Sequence, residues 1–176
     1  MSVKCNIFLD LDQTIICSEE YNINSYNKII HYEYDFMHPY VTCARPNLQP
    51  FLDFLFENYN VCIWTAASKN YASFVFQRFI KYYNEDRKIK LFLYNDHCNI
   101  SKEITGSIKN LSMLWNYWKI DGFNSRNTFI IDDLKEVYET QPKNCFRVKP
   151  FLLASGKNDT ELLFLSSKLK NLKNCK

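Results

Sequence analysis

Three short apolar runs in this chain stop abruptly on oxygen-bearing side chains, and this pattern narrows the fold more than anything else in the sequence. Residues 4–10 (KCNIFLD) lead into Asp10-Leu11-Asp12-Gln13-Thr14, residues 61–65 (VCIWT) end on Thr65, and residues 127–133 (NTFIIDD) end on Asp132-Asp133. The runs are continuous rather than alternating, which marks strands covered on both faces. Between and after them, residues 48–56, 70–83, 109–118 and 159–172 carry apolar side chains at helical spacing. Strands alternating with helices predict an α/β fold on a mainly parallel sheet, in which functional groups gather beyond the carboxyl ends of the strands.

A chain of 176 residues is expected to form a single domain over 1–176. With 47% hydrophobic and 23% charged residues it has the composition of a globular protein. A net charge of +3 gives no electrostatic signal for nucleic acid, and no apolar run reaches the roughly 18 residues of a membrane span. The opening MSVKCNIFLDLDQT has acids inside its apolar stretch, unlike a secretory signal. Seven cysteines at 5, 17, 43, 62, 98, 145 and 175 form no C-x-x-C pair, so they read as reduced, packed thiols of an intracellular protein, cytoplasmic or nuclear.

The rest of the chain supplies smaller expectations. Residues 31–36 (HYEYDF) alternate, placing Tyr32, Tyr34 and Phe36 on one face of a half-exposed strand, with core the expected setting for that stripe. His38-Pro39 turns into a partner strand over 40–44. Helix 70–83 should present Tyr71, Phe74, Val75, Arg78, Phe79 and Tyr82 along one side, 90–94 reads as a strand and 95–108 as polar and irregular. Residues 145–148 form a last short strand. The closing helix has Asp159 or Asn158 as its cap, Leu162, Leu163, Leu165 and Leu169 inside, and Lys168, Lys170 and Lys173 outside. His31, His38 and His97 have no metal-ligand spacing.

If the strand ends converge, several carboxylates share one small cleft. A divalent cation relieves their repulsion, and all-oxygen ligation favours Mg²⁺ over Zn²⁺. An ionised aspartate at a strand end can attack phosphorus, and a second aspartate two residues on can protonate the leaving alkoxide and then deprotonate water. Lys109, read as the start of helix 109–118, would neutralise phosphoryl oxygens.

These residues resemble a known family. DLDQT at 10–14 resembles the DxDxT signature of haloacid-dehalogenase (HAD) superfamily phosphotransferases. More narrowly, the chain is similar to the phosphatases of the RNA polymerase II C-terminal domain, the NLI-interacting-factor-like Fcp/Scp type. Arg45-Pro46 with Phe51-Leu52, Trp64-Thr65-Ala66-Ala67 with Tyr71-Ala72, Cys98, Lys109-Asn110-Leu111, and Asp159-Thr160-Glu161-Leu162-Leu163 match its stretches in order. The resemblance implies a Rossmann-like HAD sheet with a small β-hairpin insertion and no large cap domain. It implies Asp10 as nucleophile and metal ligand, and Asp12 as general acid/base lending the metal its backbone carbonyl. Thr14 orients Asp12 and joins Thr65 and Lys109 in holding phosphate, Asp133 completes the metal shell, and Asp132 stands behind it. Asp132-Asp133 replaces the Asp-Asn of small members, Asn110 follows the lysine where the family has Asp, and 95–108 is shorter than the family's insertion.

The reading that follows is a Mg²⁺-dependent phosphatase acting on phosphoserine or phosphothreonine, with the polymerase C-terminal domain or a similar phosphoprotein as partner, through an aspartyl phosphate. The alternatives are the same chemistry on a nucleic-acid phosphate end or a small metabolite, and a non-catalytic binding member of the family. A structural salt bridge is the expected role of Arg45. Inert packing is expected of Cys17, with oxidation as its other reading. The Tyr32/Tyr34/Phe36 hairpin, if it lay beside the cleft, could hold a proline-containing segment. An AT-rich coding genome, such as that of a large DNA virus or a protist, accounts for the richness in Asn, Lys, Ile and Tyr.

Overall fold

The computed structural model describes residues 4–22 and 26–172; Lys173 and Cys175 lie outside the described residues. In chain order the elements are β1 (Asn6–Leu9), β2 (Ile16–Glu20), α1 (Tyr26–Ile29), β3 (Tyr34–Met37), β4 (Tyr40–Ala44), α2 (Leu48–Asn58), β5 (Asn60–Trp64), α3 (Lys69–Val75), β6 (Phe92–Leu93), α4 (Asn95–Thr105), α5 (Ser112–Asn116), β7 (Thr128–Asp132), α6 (Lys135–Thr140), β8 (Cys145–Arg147) and α7 (Glu161–Leu169).

Five strands form a parallel sheet in the order β6-β5-β1-β7-β8, so the strand bearing Asp10 is central. Alternate side chains of β1 serve opposite layers, as strand geometry requires. Ile7 and Leu9 join Leu52, Leu55, Val75 and the α7 leucines on one face. Phe8 joins Cys62, Trp64, Met113 and Leu114 on the other. Register then fixes the site. Leu9 lies level with Ile63 of β5 and Ile131 of β7, so the residues that follow all three strands emerge together at one edge. This is the α/β architecture expected, with a small three-stranded antiparallel sheet, β2-β4-β3, as its insertion.

Several local expectations are corrected. Residues 95–108 are not irregular, because α4 occupies most of them. It buries only Cys98 and Ser101, too little to leave an apolar period, and its ends supply the signals. The Tyr94 N–H donates to His97 Nδ1 at 3.2 Å, and Gly106 ends the helix at φ 80°. Lys109 does not begin a helix; its φ is 51°, and α5 starts at Ser112. The 70–83 helix becomes a π-helix over Phe76–Lys81, which rotates its face. Phe79 and Ile80 are buried, while Tyr82 is exposed. In α7, Leu162, Leu165 and Leu169 are buried but Leu163 is exposed, and Thr160 holds the cap position.

The aromatic stripe is also not core. Tyr34 and Phe36 are 37% and 47% exposed, because β3 is the sheet's edge strand. The small core beneath the sheet centres on Cys17, Val41, Cys43 and Phe151, and of the stripe only Tyr32 packs against it. Among the described cysteines, 17, 43, 62, 98 and 145 are free and buried, as expected. Cys5 departs from that reading, being disulfide-bonded.

Candidate active site

Asp10 follows β1, and its N–H donates to the Ile131 carbonyl of β7 at 3.0 Å, which pins the turn to the neighbouring strand. Its carboxylate meets two partners. Lys109 Nζ donates to Oδ1 at 2.7 Å, and Thr14 Oγ1 donates to Oδ2 at 3.2 Å. The same ammonium donates to Asp132 Oδ2 at 2.7 Å, while Asp132 Oδ1 accepts the Leu134 N–H at 2.9 Å. Lys109 is 1% exposed, so this cation has left water for a nest of carboxylates. Burial disfavours its charge, but Asp10 and Asp132 outweigh burial and hold its proton more firmly than usual.

The lysine is placed by side chains far away in sequence. Gln141, just after α6, donates from Nε2 to the Lys109 carbonyl at 2.8 Å and accepts the Leu111 N–H at 2.9 Å. Ser101 of α4 accepts the Asn110 N–H at 3.0 Å. These bonds hold Lys109 in the left-handed region, which a non-glycine residue enters only at a cost. Gln13, at φ 57°, is held there too, and both residues line the same pocket.

That pocket has a volume of about 180 Å³ and is lined by Asp10, Asp12, Thr65, Lys109 and Asp133, together with Gln13, Ala66 and Leu134. Thr65 Oγ1 accepts the Ala67 N–H at 3.1 Å, which leaves its own proton to donate. Cys98 Sγ lies 3.5 Å from the Thr65 carbonyl, behind the pocket. Thr14 departs from expectation. It is fully buried, and its hydroxyl reaches Asp10 and, at 3.5 Å, Asp133 rather than Asp12.

The partner of Asp12 is Tyr71, whose Oη donates to Oδ1 at 2.9 Å. Tyr71 is hydrogen-bonded in turn to Ser18 of β2, and Ser18 to Thr42 of β4 at 2.7 Å. The small sheet thus turns its hydroxyl face toward Asp12. Tyr34 and Phe36 pair in register with Cys43 and Val41, on the opposite face, so the aromatic hairpin does not line the cleft. Burial, helped by repulsion from Asp10, pushes the Asp12 carboxyl up to about 6 against the Tyr71 hydrogen bond. Burial also raises Asp132, and Lys109 opposes it. The sequence touches Tyr71 only through the match of Tyr71-Ala72 to the family's stretch, without its role, and nothing in the local sequence marks Ser18 or Gln141, since each acts on a residue distant along the chain.

One carboxylate oxygen from each of Asp10, Asp132 and Asp133 falls within 4.8 Å of the others, an all-oxygen set that fits a hard divalent cation. Within this set Asp132 accepts from Lys109 and the Leu134 N–H, as Asp10 accepts from Lys109 and Thr14. Arg45 proves structural. Its Nε and Nη2 meet the two Asp159 oxygens at 3.0 and 2.9 Å, and Nη1 donates to the Thr14 carbonyl at 2.9 Å. His97 is satisfied by the Tyr94 N–H, while His31 and His38 are exposed.

A parallel sheet whose neighbouring strands deliver carboxylates to one buried lysine has the HAD-like architecture of a large class of phosphatases. Comparison with known proteins agrees: the model of the NLI interacting factor-like phosphatase family matches residues 5–176, and the chain belongs to that family. It is 50% identical over 165 residues to the CTD phosphatase-like protein 355R of Invertebrate iridescent virus 6, covering 89% of this chain and 90% of that one. Identity to the ubiquitin-like domain-containing CTD phosphatase 1 of Drosophila melanogaster is 28%, over 73% of this chain and 41% of that protein. The structure of Fcp1, described as an essential RNA polymerase II CTD phosphatase, matches with a TM-score of 0.67 and 18% identity, a likeness of fold. It covers 96% of this chain but only 62% of the Fcp1 chain, less than two thirds. No helix among the described residues is long and apolar enough to cross a membrane.

Proposed function

We propose that this HAD-type phosphatase hydrolyses phosphoserine or phosphothreonine in proteins, with segments like the RNA polymerase II C-terminal domain as substrates, inside the cell. The observation that carries the reading is the buried Lys109 drawing Asp10 to the mouth of a pocket shared with Asp12, Thr65 and Asp133. Lys109 has three N–H bonds, two of them on Asp10 and Asp132, so one remains for a phosphoryl oxygen. The Thr65 hydroxyl donates to another.

An Asp10 oxygen attacks phosphorus, and the bond from phosphorus to the serine or threonine oxygen breaks. Asp12 gives its proton to that leaving oxygen; a carboxyl raised to about 6 carries the proton near neutrality far better than an ordinary aspartate. Asp12, now ionised, takes a proton from water as the water oxygen attacks the aspartyl phosphate. Phosphate departs and Asp10 is restored. Asp10, Asp133 and the Asp12 backbone carbonyl would hold Mg²⁺, which when bound neutralises the clustered carboxylates and polarises the phosphoryl oxygens.

Asp10→Asn should abolish turnover of p-nitrophenyl phosphate and of phosphopeptides while leaving the circular dichroism spectrum unchanged. EDTA should silence the wild-type enzyme and added Mg²⁺ restore it. Wild-type rates in the Asp10 variant would remove the nucleophile from this scheme. An open pocket of about 180 Å³ favours a macromolecule that presents only its phosphate, over a metabolite that needs enclosure.

A further inference from the structure

The segment after β8 is tied at both ends to the loops that form the pocket. Arg147 Nε donates to the Asp133 carbonyl at 3.3 Å, and the Val148 N–H donates to the Asp132 carbonyl at 3.1 Å. At its far end, the Phe151 N–H donates to the Gln13 carbonyl at 2.6 Å. Lys149 and Pro150 are therefore carried as an exposed strap between the loop of Asp10 and Asp12 and the loop of Asp133. Outside the strap, against α7, lies a cavity of about 680 Å³, far larger than the catalytic pocket, lined by Arg147, Lys149, Lys168 and Phe164 among others.

Its charge is unbalanced. Three cations face one lining acid, Glu161, whose carboxylate already accepts the Lys149 N–H at 3.1 Å; Asp159 nearby also attracts Lys149, but both its oxygens are held by Arg45. Among the described residues none of the three cations forms a salt bridge. Lys168 Nζ instead rests 4.4 Å from the centre of the exposed Phe164 ring. The evenly balanced chain as a whole does not require such a cluster, and nothing in the phosphoryl-transfer steps uses it.

Resting on the phosphoprotein reading above, we infer that this groove is a second anion subsite: it takes another phosphorylated or acidic side chain of the same peptide while the scissile phosphate sits at Asp10. Lys149 and Lys168 supply the charge. Phe164 and Pro150 give the intervening peptide an apolar surface. A groove joined to the pocket through Arg147 and Asp133 lies where the chain flanking a bound phosphoresidue can run. The enzyme would then prefer densely phosphorylated segments, with attraction that salt weakens.

The test is steady-state kinetics on peptides with one phosphoserine and on peptides with a second phosphoserine, or a glutamate, at each flanking position in turn. The wild type should favour the doubly phosphorylated peptide at one spacing by roughly tenfold in kcat/KM. The double variant Lys149→Ala/Lys168→Ala should lose that preference to within about twofold and still turn over p-nitrophenyl phosphate at the wild-type rate. A smaller gain from glutamate than from phosphoserine identifies the dianion as what is read, and an equal gain identifies any carboxylate; both support the subsite. A wild type without preference at every spacing, or a preference intact in the variant, overturns it. A gain that depends on the two lysines for a 5′-phosphorylated oligonucleotide but not for peptides overturns the peptide assignment. Should the wild type fail on p-nitrophenyl phosphate, the phosphatase reading is what falls. Fluorescence anisotropy of the same peptides on the two proteins then still decides the groove, by whether the lysines tighten binding of the doubly charged peptide.

Discussion

Lys109 shows how much one side chain can organise. Without its charge, Asp10 and Asp132 would face each other, buried and unneutralised, and nothing would draw Asp10 toward the pocket. Lys109→Met should lower kcat on p-nitrophenyl phosphate by roughly a hundredfold or more with the helical spectrum preserved. Tyr71 acts on the other carboxylate. Tyr71→Phe removes the hydrogen bond that aims Asp12 and leaves the pocket's volume intact. A nitrophenolate leaves without needing a proton, whereas an alkoxide does not. The variant should therefore lose about tenfold in kcat on a phosphoserine peptide and less than about threefold on p-nitrophenyl phosphate. Equal losses on the two substrates would mean that Tyr71 has only a structural part.

Helix caps and loop clamps, rather than apolar stripes, set the elements around the pocket. The Lys109 loop is the clearest case, held in a left-handed turn by Gln141 from after α6 and Ser101 from α4. Gln141→Ala breaks both hydrogen bonds of the Gln141 amide. It should cost about 1–3 kcal/mol in urea unfolding and several-fold in kcat, with KM for p-nitrophenyl phosphate little changed, because the lysine's aim loosens while the pocket stays open. The same absence of a stripe explains why α4 is not readable as a helix in sequence: two buried residues in eleven leave no period to detect. The π-helix over Phe76–Lys81 fails to read for a different reason. A stretch with five residues' hydrogen-bond spacing carries its apolar positions out of the 3.6 phase, so Tyr82 lands in solvent where an α-helix would bury it.

The molecule as a whole is closed by a bond between its insertion and its last helix. Arg45, at the end of β4 and 1% exposed, meets Asp159 at the head of α7 and the Thr14 carbonyl beside the pocket. Burial alone would raise the Asp159 carboxyl, but Arg45 and the Glu161 N–H outweigh it and hold the carboxyl below its ordinary range. Its contribution to stability is then complete above the ordinary aspartate pKa of about 3.9, and is lost as pH falls through the lower folded value. Asp159→Asn, which strands a buried guanidinium, should destabilise by about 2–4 kcal/mol at pH 7. The gap to wild type should narrow as the pH is taken below about 4, measured by urea titration at each pH. A gap independent of pH would mean that the carboxylate's charge is not what Arg45 needs.

The strand-end acids, Thr65 and the alternation of the main parallel strands with helices are readable in the chain, because each depends on a short run and on the polar residue that stops it; β2, α4 and α6 are not, and Lys109, which ends no such run, is marked only by its match to the family's lysine stretch. Asp10, Thr65 and Asp133 emerge together since parallel strands in register must release their next residues at one edge. The hydroxyl partner of Asp12, the clamp on Lys109, the exposed face of the β3 aromatics and the basic groove beside β8 depend instead on which surfaces come to lie against each other. A phenol 59 positions from its carboxylate and an amide 32 positions from its carbonyl leave no periodic trace. Their pairing arises when packed layers bring them within hydrogen-bonding distance, and that distance is a property of the assembled molecule.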